Sequence, residues 1–339
     1  MNNNRLVYID AMRGLAMLLV VMGHVLLFTF HHSQNPFYKV LNECIRVPLF
    51  FMVSGMCFRL PKVWSSKEVA KFVYGKALLL CVPAFLWMAF YGWVFQYSLM
   101  DAVTDTWKYG YWFTFSLFAF MLLYIFFDGL MRIFNLAEKH KLILMMLCSI
   151  AVAYLGTLAM KLEDSYMPLR VLGVSHFQQF PYFVLGVLLA SKAFNCINSS
   201  RSIAYEMGGV ISILMIIYTY STGKIEYLGS LTLWLIVMRV CCLLWIKKFF
   251  STLESSSVWL IKALSYIGRY TLDIYFIHYF FLPRNLEMVG AFFKESPNAI
   301  VEWLLAFALA LPIIVFSLLL GKMVRVHNML DRWLLGAKE

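Results

Sequence analysis

The stretch RLVYIDAMRGLAMLLVVMGHVLLFT, residues 5–29, constrains this chain more than any other. About 20 apolar residues at about 1.5 Å rise cross a hydrocarbon core of about 30 Å, so the run is long enough to span a bilayer. Yet it carries Asp10, Arg13 and His24. Arg13 and His24 are eleven residues apart, which at about 100° per residue is three turns plus about 20°, so both project from one face. Asp10 lies one turn before Arg13 and can pair with it. A ridge of ionisable groups extending roughly 16 Å along the axis is costly against lipid, where a charge costs several kcal/mol, and belongs in a protein interior or a wet cavity.

Ten apolar segments follow the same logic: 6–29, 40–59, 76–98, 111–134, 142–160, 176–194, 203–221, 228–246, 264–283 and 299–321. The chain is 62% hydrophobic and only 14% charged, whereas a soluble domain is nearer half apolar and a quarter charged. The expectation is an all-α polytopic membrane protein, a bundle of about ten transmembrane helices forming one integral-membrane domain over residues 1–339. The first segment is too long and too charged for a cleaved signal peptide. The net charge of +11 does not point to nucleic acid, because the basic residues flank apolar runs and form no single patch. Alternate loops divide them unequally. Eighteen of the 29 lysines and arginines fall on one side, seven on the other, and four (Arg13, Arg46, Arg239, Arg269) lie within segments. The positive-inside rule then puts both termini in the cytoplasm. The seven cysteines show no metal-type spacing and read as apolar fillers, so no metal site is expected.

Other segments carry ionisable groups at depth. Glu43 and Arg46 are one turn apart near the outer end of the second segment, at a depth comparable to His24. They form either a boundary ion pair or, with Arg46 held by Glu43, part of the cavity that His24 faces. In the ninth segment, ALSYIGRYTLDIYFIHYFFL, Arg269 and Asp273 share a face and can pair. His278 points about 180° away from Arg269 on a straight helix, so that helix must be surrounded by protein or bent. His278 itself is either a hydrogen-bonded structural histidine or a catalytic one. Arg239 has no acidic neighbour within a turn and asks for a partner from another helix or an anionic ligand. Asp128 and Arg132 read as a structural pair. His31 and His32 fall in an outer loop, where a solvated histidine is the default, and His176 stands at a mouth with Gln178 and Gln179.

No G-x-S-x-G elbow, Walker-type glycine loop or H-E-x-x-H is present. The polar inventory is arginines, two deep histidines and a few carboxylates. Arginine binds phosphate through its planar fork, and a neutral imidazole takes a proton from a hydroxyl near pH 7. Acyl transfer from a phosphorylated thioester uses both abilities. A transporter or exporter of a glycan, with the ridge as its pathway, uses the same residue types.

Arg13-x10-His24 within YIDAMRGLAMLLVVMGHV, RVPLFFMVSG from Arg46, FPYFVLG at 180–186, and TLDIYFIH ending at His278 together resemble the integral-membrane acyltransferase-3 family. The likeness runs through about ten helices in the right order. It implies an acyl-CoA-dependent O-acyltransferase of the bacterial inner membrane that modifies cell-surface or lipid-linked glycans. Acyl-CoA, most simply acetyl-CoA, is then a co-substrate and no cofactor is permanently bound. Arg13 and His24 become the essential pair, and Arg46 and His278 cavity residues, with Glu43 and Asp10 beside them. His24 serves as general base or as transient acyl acceptor. Lys71, Lys76, Arg239 and Arg269 are the expected partners of the donor phosphates. Many relatives carry an arginine-rich stretch where this chain has KFVYGKALLLCVP, so Lys71 and Lys76 neutralise charge there without bidentate geometry.

Overall fold

The computed structural model describes residues 6–33, 35, 37–38, 45–191, 206–212, 214, 233–253 and 258–336, and among these every regular element is helical. The main helices are α1 (Val7–His24), α2 (Val47–Cys57), α3 (Ser66–Phe95), α4 (Trp112–Ile133), α5 (Glu138–Glu163), α6 (Phe180–Ala190), α7 (Leu233–Thr252), α8 (Trp259–Arg269), α9 (Thr271–Ile277), α10 (Ala299–Arg325) and α11 (Asn328–Leu335). Five described helices are long and apolar enough to cross a membrane: α1 with its continuation to Thr29, α3, α4, α5 and α10. In α1, 61% of the apolar window is buried, against 28 to 39% in the other four; along its ridge Asp10 is buried, and Arg13 and His24 are partly exposed. The expected segment 203–221 lies outside the described residues apart from 206–212 and 214.

The third and ninth segments depart from their expected shape, and the sixth opens as a 3₁₀ stretch over Val174–Gln179. The third begins ten residues early, because Ser65 Oγ accepts from the Glu68 N–H and starts a helix well before the apolar run. The ninth is broken: Tyr270, at φ −113° and ψ 26°, separates α8 from α9, and a 3₁₀ turn over His278–Phe280 follows. That break removes the conflict between Arg269 and His278, which no longer share one straight axis. It also falls between Arg269 and Asp273, so the continuous face expected for that pair is absent.

The chain forms two compact units, Met1–Val53 with Cys196–Leu320, and Ser54–Asn195 with Gly321–Glu339. In the first, α1 lies backbone-close against α8. A Cβ on Gly14 would collide with the Leu264 carbonyl, and one on Gly268 with the Asp10 carbonyl. Small residues that let helix backbones touch are a common means of association in lipid, where apolar side chains gain little from leaving the solvent. Beyond the π turn Val25–Thr29, a buried cluster fixes the chain. His32 Nδ1–H donates to Glu302 Oε1 at 2.7 Å, Asn35 Nδ2–H donates to Glu302 Oε2 at 2.6 Å, and Asn35 Oδ1 accepts from the N–H groups of Phe37 and Tyr38. His32 is therefore a buried, paired histidine and not the solvated loop residue expected, while His31 is exposed beside Glu287.

In the second unit, α2 and α6 meet where Gly55 touches the Phe183 carbonyl, and Phe58, Phe120, Tyr124, Phe180 and Phe183 fill the surrounding core. Arg132 Nε–H donates to Asp128 Oδ2 at 2.6 Å and lies over the Trp64 ring, a structural pair as expected. His176 is buried against Trp112, ring centroids 4.0 Å apart, and donates Nε2–H to the Thr106 carbonyl. α11 docks on α3: Trp87 Nε1–H donates to the Leu334 carbonyl at 2.7 Å.

Candidate active site

His24 is the last residue of α1, and the π turn starts at the next residue. Such π insertions redirect the following side chains and are frequent at functional sites. His24 Nδ1 and His278 Nε2 are 2.8 Å apart, and His278 Nδ1 is 2.8 Å from the Ile274 carbonyl. The two rings are within 11° of parallel with centroids 5.0 Å apart, as two imidazoles joined edge to edge by an N–H···N bond require.

This chain of contacts has one direction. A carbonyl only accepts, so His278 Nδ1 carries the proton. A neutral His278 then presents a lone pair at Nε2, His24 Nδ1–H donates to it, and His24 keeps its own lone pair on Nε2. The Tyr279 hydroxyl is 3.5 Å from that Nε2, and the rings of Tyr279 and Phe28 close two sides of the imidazole. His278 is fully buried, whereas His24 is partly exposed and Phe28 is exposed. Of the two rings, His24 is therefore the one with some exposure and His278 the one enclosed.

Arg46 adds charge at the same place. Its guanidinium packs against Gly23 so closely that a Cβ there would collide with it. Its Cζ stands 5.6 Å from the centroid of the Tyr38 ring, and Tyr38 is set by the Asn35–Glu302 cluster. Arg46 is 8% exposed, and its Nε and one terminal nitrogen have no hydrogen-bond partner among the described residues. A buried cation with unused donors is expensive unless an anion or a developing negative charge meets it. Glu43, expected to hold Arg46, lies outside the described residues.

An imidazole with a lone pair and a buried guanidinium on neighbouring positions are groups that acyl transfer can use. A family model described as an acyltransferase domain matches residues 6–322, nearly the whole chain. The chain belongs to the acyltransferase-3 family. It is a multi-pass membrane acyltransferase. No curated protein and no solved structure matches it.

The other expected site residues of the acyltransferase that are described fall in three further places. Near the start of α1, Asp10 is 2% exposed and stands between two arginines. Arg13 is 3.8 Å from one carboxylate oxygen, and Arg269 Nε is 3.8 Å from the other. Arg13 and His24 thus remain at opposite ends of α1, as their spacing requires. Arg239, on α7, is buried at 3% exposure. Lys71 and Lys76, on the early turns of α3, line a groove of about 820 Å³ in the second unit. Sequence reasoning does not single out Tyr279 and Phe28. Both sit in aromatic-rich runs, FIHYFF and VLLFTF, where one ring looks like another. For Tyr279, adjacency to His278 is the only available cue.

Proposed function

We propose that this acyltransferase moves an acyl group, acetyl in the simplest case, from acyl-CoA on the cytoplasmic side to a hydroxyl of a cell-surface or lipid-linked glycan on the outer side of the bacterial inner membrane. In this reading about ten helices cross the bilayer and both termini face the cytoplasm, an orientation supported by the unequal division of lysine and arginine between loops. The carrying observation is the hydrogen-bond direction Ile274 carbonyl, His278, His24, which leaves a lone pair on His24 Nε2, with the Arg46 guanidinium packed against the adjoining Gly23.

The acceptor oxygen bonds to the thioester carbonyl carbon as its proton passes to His24 Nε2. The carbonyl electron pair moves onto oxygen, where Arg46 supplies the positive charge. The tetrahedral species then collapses, the C–S bond breaks, and the departing sulfur takes the proton from His24. While His24 is an imidazolium, its Nδ1–H bond to His278 becomes charge-assisted and roughly twice as strong as a neutral one. His278 thereby lowers the cost of the proton transfer, a contribution of the kind worth about 10²–10⁴ in rate. Lys71 and Lys76 neutralise donor phosphate, and Arg13, oriented by Asp10, supports the donor's path.

The test uses purified protein in lipid nanodiscs, radiolabelled acetyl-CoA, and surface glycan from a strain lacking this protein. Thiol release should require the glycan and vanish in His24→Ala, with membrane insertion and thermal stability unchanged. A His24→Ala enzyme with wild-type turnover overturns the assignment.

A further inference from the structure

The groove beside Lys71 and Lys76 has a wall that their sequence position does not suggest. Among the described residues, five cations, Arg59, Lys62, Lys71, Lys76 and Arg332, line it with a single carboxylate, Glu68. They come from three places in the chain: the segment after α2, the first turns of α3, and α11. Arg59 is fixed at the end of α2, donating to the carbonyls of Met56 and Phe58 at 2.8 and 2.7 Å. Phe72 and Leu79 give the groove an apolar side, and Lys76 Nζ stands 5.4 Å from the Phe72 centroid.

Arg332 is held in place from both ends of its helix. Arg325 bonds Asp331 at 2.7 Å. At the other end Trp87 bonds the Leu334 carbonyl, and Gly336 takes φ +67° to turn the chain against Leu79. A Cβ at Gly336 would stand 2.5 Å from the Leu79 carbonyl oxygen, so only glycine lets α11 seat this closely. The family match ends at residue 322, and Arg332 lies beyond it.

We propose that α11, through Arg332, completes the phosphate-binding site for the nucleotide end of the thioester donor, with Arg59 as the second forked donor. This rests on the acyl-CoA reading above. Geometry and charge carry it. Lys71 and Lys76 offer point charges, whereas a guanidinium grips a phosphate through two parallel N–H bonds. The volume is within the roughly 300–1,000 Å³ of small-molecule sites. A strongly cationic groove with one aromatic and aliphatic side suits phosphates attached to a base and sugar. A phospholipid headgroup shares the phosphate, and α11 exposes Met329, Leu330 and Trp333 in the manner of a helix lying at a membrane surface. The experiment therefore separates the two sources.

Binding of radiolabelled CoA is measured in nanodiscs of phosphatidylcholine alone and of phosphatidylcholine with phosphatidylglycerol, with unlabelled CoA or pantetheine as competitor. Arg332→Gln should weaken CoA binding about tenfold while pantetheine competes as it does in the wild type. Arg332→Lys should restore part of the loss, and salt should weaken wild-type binding more than that of Arg332→Gln. Unchanged CoA affinity in Arg332→Gln overturns the proposal, as does an equal loss for pantetheine, which marks a merely structural role. Phosphatidylglycerol retained through Arg332 and displacing CoA assigns the groove to lipid and overturns it too. Arg332-sensitive CoA binding without acyl transfer sinks the transfer reading alone. Normal transfer with an insensitive Arg332 sinks this one alone.

Discussion

A backbone oxygen has no proton to give, and at His24 that simple fact propagates through two rings. Ile274 sets His278, His278 sets His24, and the outcome is a lone pair on His24 Nε2. In His278→Ala the last ring loses its acceptor and the tautomer is free to change. The reaction loses both orientation and support for the imidazolium. We expect kcat to fall by about 10²–10³ with donor KM nearly constant, and the pH profile to shift, since removing an orienting partner acts on chemistry more than on binding. Steady-state kinetics of both substrates across pH checks this. An unchanged pH profile would mean that His278 only fills space. At this scale the sequence is partly legible. The spacing of Arg13 and His24 and the depth of Arg46 and His278 can be counted along the chain. The pairing of His24 with His278 cannot, because it joins residues 254 apart. His32 reads wrongly as solvated for the same reason: its partner, Glu302, is 270 residues away.

Elements explain how those distant residues meet. The seam between α1 and α8 depends on two absent side chains, at Gly14 and Gly268. Gly14→Val places branched carbon into the Leu264 carbonyl and must push the helices apart. Overpacking of this kind costs about 1–3 kcal/mol, and the displacement also moves α9 and His278 relative to His24. The expected result is a lower melting temperature in detergent together with reduced transfer. For the melting temperature, Gly75→Ala is the control, because nothing lies within 4 Å of a Cβ there. Equal melting temperatures for Gly14→Val and wild type would show that the seam is not under packing constraint. Apolar periodicity locates α1, α4, α5 and α10 to within a few residues, since hydrocarbon thickness dictates their length. It misses the early start of α3, whose first turns are polar and set by a cap. It also misses the break at Tyr270, where no proline marks the end of the helix and Gly268 serves the seam with α1.

At the scale of the whole molecule, the proposed function has one membrane-embedded imidazole join a donor from one side to an acceptor from the other. Composition and charge asymmetry alone make the multi-pass character plain, because lipid leaves few ways to fold a chain so apolar. The family motifs narrow the chemistry to acyl transfer, and the match over residues 6–322 bears that out. The identities of acyl group and acceptor are set by contacts that no periodicity encodes. The most direct measurement reconstitutes the protein in sealed vesicles, with acetyl-CoA confined to the side bearing the termini and surface glycan confined to the other. The account expects label to appear on the glycan across the intact membrane, and His24→Ala vesicles to show none. Acylation only when donor and glycan share one compartment would contradict it.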